Sequence, residues 1–142
     1  MRSATFAVAA IAAVWFIACR SEPGRRVDAP PVVKSVGVST ISPEEALPAI
    51  EAAYSQFIDV RTPEEYAEEH AYRARNIPLD AFNQSLDKIE KNEPVYLICR
   101  TDNRSREAAD ILVNAGFRQA VVIKGGIEAW KAAGLPMAKP TL

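Results

Sequence analysis

The chain has 142 residues, 49% of them apolar and 25% charged, which suits one ordinary globular domain with some extra sequence and leaves no room for two cores. Its formal net charge of -1 lacks the strongly basic footprint of a nucleic-acid binder, so no nucleic-acid partner is expected. The only cysteines, Cys19 and Cys99, sit in such unlike contexts that a disulfide framework is not expected, and each needs its own explanation.

In chain order, the first feature is an address. One early positive charge, Arg2, precedes an uncharged run from Ser3 through Ala18 dominated by Ala, Val, Ile, Phe and Trp. That is the layout of a signal peptide. As a helix the run would reach roughly 25 Å, short of a hydrocarbon core of about 30 Å. It ends in Phe16-Ile17-Ala18-Cys19, which resembles a bacterial lipobox, although Leu is more usual where Phe16 stands. An uncleaved anchor and ordinary cleavage with Cys19 incidental are the other readings. Residues 1–19 are therefore expected to be a signal peptide with Cys19 as the lipidation site, holding the protein to a membrane on the periplasmic face of a bacterial cell envelope.

From Arg20 to about Gly37 the composition changes to Pro, Gly, Arg and small residues, as in Glu22-Pro23-Gly24-Arg25-Arg26 and Ala29-Pro30-Pro31. With no sustained period and little to bury, 20–37 reads as a flexible linker, and 38–142 as the folded domain.

Within the domain, Ser42-Pro43-Glu44-Glu45 and Thr62-Pro63-Glu64-Glu65 are helix starts written in one form. Each offers a hydroxyl N-cap, Pro at the first helical position, and a Glu that can reach back to the cap's own amide. Further helices are predicted over Ala81 to Ile89, Ser105 to Ala115 and Gly126 to Ala133, the last two ending at Gly116 and Gly134 as left-handed caps, with Pro136 barring continuation. Phe57-Ile58-Asp59-Val60, Val95-Tyr96-Leu97-Ile98 and Ala120-Val121-Val122-Ile123 are short apolar runs suited to strands buried on both faces. The alternation predicts an α/β fold with a mostly parallel sheet flanked by helices on both faces. Chemistry in such folds lies beyond the carboxyl ends of the strands, where Arg61, Cys99 and Lys124-Gly125-Gly126 fall.

The stretch Ile98-Cys99-Arg100-Thr101-Asp102-Asn103-Arg104-Ser105-Arg106 runs from a strand directly into a helix. Backbone amides curling round so short a loop, with the positive end of the following helix, make a site for an anion. A thiol there has its thiolate stabilised, which provides more nucleophile at neutral pH. Arg100, Arg104 and Arg106 are expected to add to both effects, Arg106 only if the helix does not turn it away. The alternative, Cys99 as an inert buried small residue, fits the arginine-rich context poorly.

Residues Val38 to Pro136 resemble a rhodanese domain. Cys99 to Arg104 matches the family's Cys-x-x-x-x-Arg loop, Ile58-Asp59-Val60-Arg61 with Glu65-Tyr66 its first motif, His70 with Asn76-Ile77-Pro78 its second, and Gly125-Gly126 with Trp130, Gly134 and Pro136 its last. The resemblance implies a rhodanese-like three-layer fold and a sulfurtransferase. Cys99 would take a sulfane sulfur from thiosulfate or a related small anionic donor and pass it from a persulfide to cyanide, a thiol or a protein thiol. It makes Arg100, Thr101, Asp102, Asn103 and Arg104 the substrate-binding residues, and implies no metal or organic cofactor. Relatives that hydrolyse phosphate esters or reduce arsenate use a loop one residue longer; a persulfide carrier with little turnover is the reading of another class. Asp102 stands where many rhodaneses have Gly, tolerating a left-handed backbone but bringing a negative charge to an anion site. Glu69 and Ala71 replace the usual Gly and Ile beside His70.

Asp59 and Arg61 read as an ion pair or hydrogen-bond hub holding loops together, His70 as a loop-fixing residue, and Trp130 with Ile127 as a buried helix face. For the N-terminus, the expected result is that a radioactive fatty acid labels the protein in a bacterial host and that Cys19→Ala abolishes labelling. Equal labelling of the variant would remove Cys19 as the lipid acceptor.

Overall fold

The computed structural model describes residues 37–52 and 55–139. The predicted leader, Cys19 and all of the predicted linker except Gly37 lie outside the described residues. Strand β1 (Gly37–Ile41) leads through helix α1 (Pro43–Glu51) to strand β2 (Gln56–Asp59), helix α2 (Pro63–Glu68) and the two-residue strands β3 (His70–Ala71) and β4 (Arg75–Asn76). Helix α3 (Leu79–Phe82) and a 3-10 segment (Asn83–Lys88) precede β5 (Val95–Ile98), α4 (Asn103–Asn114), β6 (Gln119–Ile123), α5 (Gly126–Ala132) and β7 (Met137–Ala138).

Both capping boxes form. Ser42 Oγ accepts from the Glu45 amide at 3.3 Å while Glu45 Oε2 accepts from the Ser42 amide at 2.9 Å; Thr62 and Glu65 repeat the exchange at 3.3 and 3.1 Å. Two orphan amides of each helix start are thereby satisfied. Helices α4 and α5 run out into Gly116 and Gly134, both left-handed, with φ of 84° and 68°. The segment predicted as one helix over Ala81 to Ile89 is instead a single α turn that tightens into the 3-10 form. Asn83, Ser85 and Asp87 compete with helical backbone bonding, and the residues it buries, Phe82 and Ser85, stand three apart, the repeat of the tighter helix.

Five strands form a wholly parallel sheet in the order β1-β6-β5-β2-β4, and β3 pairs with β7 as a separate antiparallel ribbon. Alternate residues of the central strands enter opposite cores. Ile58, Val95, Leu97, Ala120 and Val122 pack with Phe82 and with Ala108, Ala109 and Leu112 of α4. Phe57, Tyr96, Ile98, Val121 and Ile123 pack with Ala46 and Ile50 of α1 and with Ile127 and Trp130 of α5. Trp130 is fully buried, 5.4 Å from the Phe57 ring, and its indole donates to Pro136 O at 3.0 Å. This is the rhodanese-like α/β architecture expected from the sequence, with helices on both faces of the sheet.

The topology fixes where a site can form. From β2 the chain moves outward to β4, whereas from β5 it moves the other way to β6. The loops leaving β2 and β5 therefore diverge and open a crevice, the position where open parallel sheets bind ligands. The turn after β6 closes on the loop after β5. Ile127 N donates to Cys99 O at 2.8 Å and Glu128 N to Arg100 O at 3.3 Å. Gly126, at φ 58°, leaves no space for a side chain, because a Cβ there would collide with the carbonyl oxygens of Thr101 and Cys99 and the carbonyl carbon of Arg100. Gly126→Ala is expected to cost at least about 2 kcal/mol, from left-handed strain and overpacking against backbone, read as a lower urea midpoint at unchanged m-value. An unchanged midpoint would mean that the loop and the turn part easily.

Candidate active site

Cys99 follows the last residue of β5 and is 1% exposed, its side chain belonging to the core cluster beneath α4. The loop above it is oriented by its carbonyls. Cys99 O and Arg100 O accept from α5, Thr101 O lies against Gly126, and Asp102 O accepts from Arg106 N at 3.0 Å. All described peptide bonds are trans, so each carbonyl holds the next residue's amide pointing the opposite way. The amides of Arg100, Thr101 and Asp102 are thus turned from α5 into the loop. The Asp102 side chain makes no cap bond, which leaves the first-turn amides of α4, without an intrahelical acceptor, uncapped by it. Amides turned in this way, reinforced by the helix dipole, favour an anion beside the sulfur.

The arginines of this segment are all engaged by carboxylates. Arg104 is clamped by Glu65 of α2, with Nη1 to Oε2 at 2.6 Å and Nη2 to Oε1 at 2.9 Å, a bidentate pair spanning the crevice. Arg100 pairs with Glu128 at 2.9 Å on the exposed rim, and Arg106 with Asp102 at 3.0 Å. Each cation predicted to reinforce the anion site is therefore also paired with a carboxylate, while Arg104 remains close enough to Cys99 for its charge to favour the thiolate. The φ of Asp102 is -151°, so its tolerance for a left-handed backbone is not called on, and its carboxylate is engaged by Arg106 one turn along α4. Thr101 on the loop and Asn103 at the start of α4 are exposed.

Glu65 is the residue that sequence reasoning credited with capping and a place in the first motif, but not with a role at the Cys99 loop. Its Oε2 serves the Thr62 amide and Arg104 together. The Arg104 hydrogen bonds, opposed by partial burial, hold its carboxyl down at about 2, below the ordinary 4.5. The presence of both a cap and a loop arginine in one motif set was the available signal.

Below Glu65 the expected hub at Asp59 and Arg61 is present and buried. Arg61 Nη2 reaches Asp59 Oδ2 at 2.8 Å and Glu69 O at 2.7 Å, while Asn76 Nδ2 donates to Asp59 O and Arg61 O, each at 2.9 Å. His70 stacks on Tyr66, ring centroids 3.8 Å apart, and its Nδ1 is 3.0 Å from Tyr66 O. The Tyr66 hydroxyl, pushed up by burial, donates to Ala74 O at 2.6 Å. Glu69 pairs with Lys131. Its φ of -168° is extended backbone, so the glycine usual at this place is not needed for conformation. A cleft of about 500 Å³ opens beside the loop, with Arg61, Glu65, Glu69, Arg100, Glu128 and Lys131 in its walls.

Residues 42–133 match the family of rhodanese-like domains. The chain belongs to the rhodanese family. Among curated relatives, this rhodanese is 34% identical over 97 residues to the thiosulfate sulfurtransferase GlpE of Actinobacillus pleuropneumoniae serotype 3, covering 68% of this chain and 90% of that one. Among solved structures, a rhodanese-like domain protein from Staphylococcus aureus aligns with TM-score 0.64 at 30% identity, covering 72% of this chain and 99% of the other. A structure described as rhodanese with anions, from E. coli, aligns with TM-score 0.52 at 33% identity over 61% and 99% of the two chains. These relationships make the rhodanese described here a sulfurtransferase-like enzyme.

The Glu65 carboxylate gives this site a pH signature. Its folded value lies below its ordinary 4.5, so the stability from the pair is fully present above that pH and is lost as pH falls toward 2. Glu65→Gln is expected to lower the melting temperature at pH 7 and to converge on wild type as pH falls from 4.5 to about 2. A gap that stays constant over that range would mean that lost packing, not lost charge, destabilises the variant.

Proposed function

We propose that this rhodanese is a sulfurtransferase that carries sulfane sulfur as a persulfide on Cys99, with thiosulfate or a related anion as donor and cyanide or a thiol as acceptor. The observation that carries the reading is the placement of Cys99 at the floor of a loop whose carbonyls are turned toward α5, which turns its amides the other way. Arg104, five residues on, locks the loop to α2. The name of the GlpE relative supports the donor class, and the anions in the E. coli structure's description support an anion site in this fold.

In the first half-reaction the Cys99 thiolate attacks the outer sulfur of thiosulfate. The bond from Sγ to that sulfur forms as the donor's S–S bond breaks, and sulfite leaves with the bonding pair. The persulfide retains one negative charge, which the loop amides hold. The acceptor then attacks the outer sulfur, its own lone pair makes the new bond, and Cys99 departs as thiolate. With cyanide the product is thiocyanate. Splitting the transfer into two displacements lowers each barrier, and preorganised amides stabilise the anion at no reorganisation cost. A cradle closed at four residues between Cys99 and Arg104 suits a single sulfur better than a tetrahedral oxyanion, which favours sulfur transfer over phosphate or arsenate chemistry. The lipobox-like Phe16-Ile17-Ala18-Cys19 supports placing this activity at a bacterial envelope, on the periplasmic face.

Intact-mass measurement of purified protein mixed with thiosulfate is expected to show one added sulfur atom, removed again by cyanide. Cys99→Ser, whose hydroxyl is far harder to ionise, is expected to fold normally, take up no sulfur and lose thiosulfate:cyanide activity by at least about a thousandfold. Activity in that variant comparable to wild type would overturn the mechanism.

A further inference from the structure

Among the described residues, the one buried side-chain polar atom without a hydrogen-bond partner is the hydroxyl of Ser105, and that residue has no exposed surface. Buried polar groups are nearly always paired, so an orphan calls for an explanation. Ser105 lies in the first turn of α4 and heads the helix's buried stripe of Ser105, Ala108, Ala109 and Leu112. Ala108, Ala109 and Leu112 share a core cluster with Cys99, so the stripe faces the end of β5 and its first member lies at the level of the loop.

The local outlets for the hydroxyl proton are unused. A helical serine commonly donates to the carbonyl three or four residues back. Here those are Asp102 O, which accepts from Arg106 N, and Thr101 O, which lies against Gly126, and the hydroxyl bonds neither. The hydroxyl makes no hydrogen bond to Cys99 Sγ either. A donor on the buried face of α4, beside a loop of inward amides, therefore has no acceptor in the resting protein.

We propose that the Ser105 hydroxyl is the hydrogen-bond donor to the outer sulfur of the Cys99 persulfide, a donor left unpaired until that sulfur arrives. The inference rests on the persulfide reading above and adds a named residue to it. Transfer from the donor places a new, negatively charged sulfur about 2 Å beyond Sγ, in the space that the first turn of α4 closes. A donor that gains its partner only in the intermediate stabilises that intermediate without stabilising the free thiolate, which is the differential binding that favours a chemical step.

The test titrates wild type and Ser105→Ala with mixtures of thiosulfate and sulfite, reading the persulfide fraction of each by intact mass. In Ser105→Ala the thiosulfate-to-sulfite ratio needed for half loading is expected to rise about tenfold, the scale of a hydrogen bond to a charged group. Iodoacetamide should alkylate the unloaded thiol at the wild-type rate, and the unloaded variant should melt at the same temperature or higher, since an unpaired hydroxyl has been removed. An unchanged half-loading ratio would overturn the inference while leaving the persulfide mechanism intact. An alkylation rate that falls together with loading would also overturn it, because the hydroxyl would then serve the resting thiolate. A wild-type protein that acquires no sulfur would sink the persulfide reading and this inference together.

Discussion

The carbonyls of Cys99 and Arg100 are both taken by the first amides of α5, and the character of the site depends on that pairing. Because a peptide unit is planar, committing its oxygen to one side commits the following N–H to the other. Two hydrogen bonds and one close approach at Gly126 thus turn a stretch of irregular chain into a concave array of donors. The array costs nothing to organise when an anion enters, because folding has already organised it. The same geometry ties the β6–α5 turn to the β5–α4 loop, so a change at Gly126 reaches the loop without touching a residue that contacts substrate.

That backbone origin explains how a site for an anion can be surrounded by ion pairs. Glu65, Glu128 and Asp102 each hold one of the arginines that follow Cys99, so the guanidinium groups set positions while the amides add to the field. A bidentate carboxylate fixes an arginine in orientation as well as distance. Arg104, joined to α2 in that way, keeps the two sides of the crevice at a set separation. The rim pair between Arg100 and Glu128 is exposed on both sides, 70% and 58%, where solvent and salt leave little net attraction. The crevice therefore has a rigid floor and a rim that yields at little cost, which lets substrates of different shape approach one fixed sulfur.

Much of this was legible in the sequence, for identifiable reasons. Capping boxes, left-handed glycine caps and two-faced apolar strands are local signals, and α1, α2, α4, α5, β2, β5 and β6 follow from them. Strand β1 escaped because it is an edge strand, with Ser39 and Thr40 in a five-residue run whose burial alternates only weakly. Strands β3, β4 and β7 are two residues long, too short for any period to register. The loop from Cys99 to Arg104 was readable as a unit, but not how its charges were spent. Ion-pair partners such as Glu65 and Arg104 lie 39 residues apart, and which carboxylate meets which arginine is decided by the strand order. Asp102 shows the same limit at short range: a residue alone tells its charge, not that Arg106 one helical turn later will claim it.

Strand order also explains why the buried charges stand where they do. Asp59 and Arg61 flank the point where the chain leaves β2, on one side of the crevice, and nearly every polar atom they bring is answered by Glu69 O, by the Arg61 amide or by each other. Asn76, from the adjacent edge strand, covers the carbonyls of both residues. A buried pair satisfied in this way avoids the penalty of an isolated charge, but it adds less to stability than well-packed apolar groups would. Its specific gain is positional. The hub fixes the exit of β2, that exit sets the start of α2, and α2 carries Glu65 to Arg104. The orientation of the Cys99 loop is thus determined from both sides of the crevice, by backbone hydrogen bonds from α5 and by a chain of side-chain hydrogen bonds that begins at Asp59.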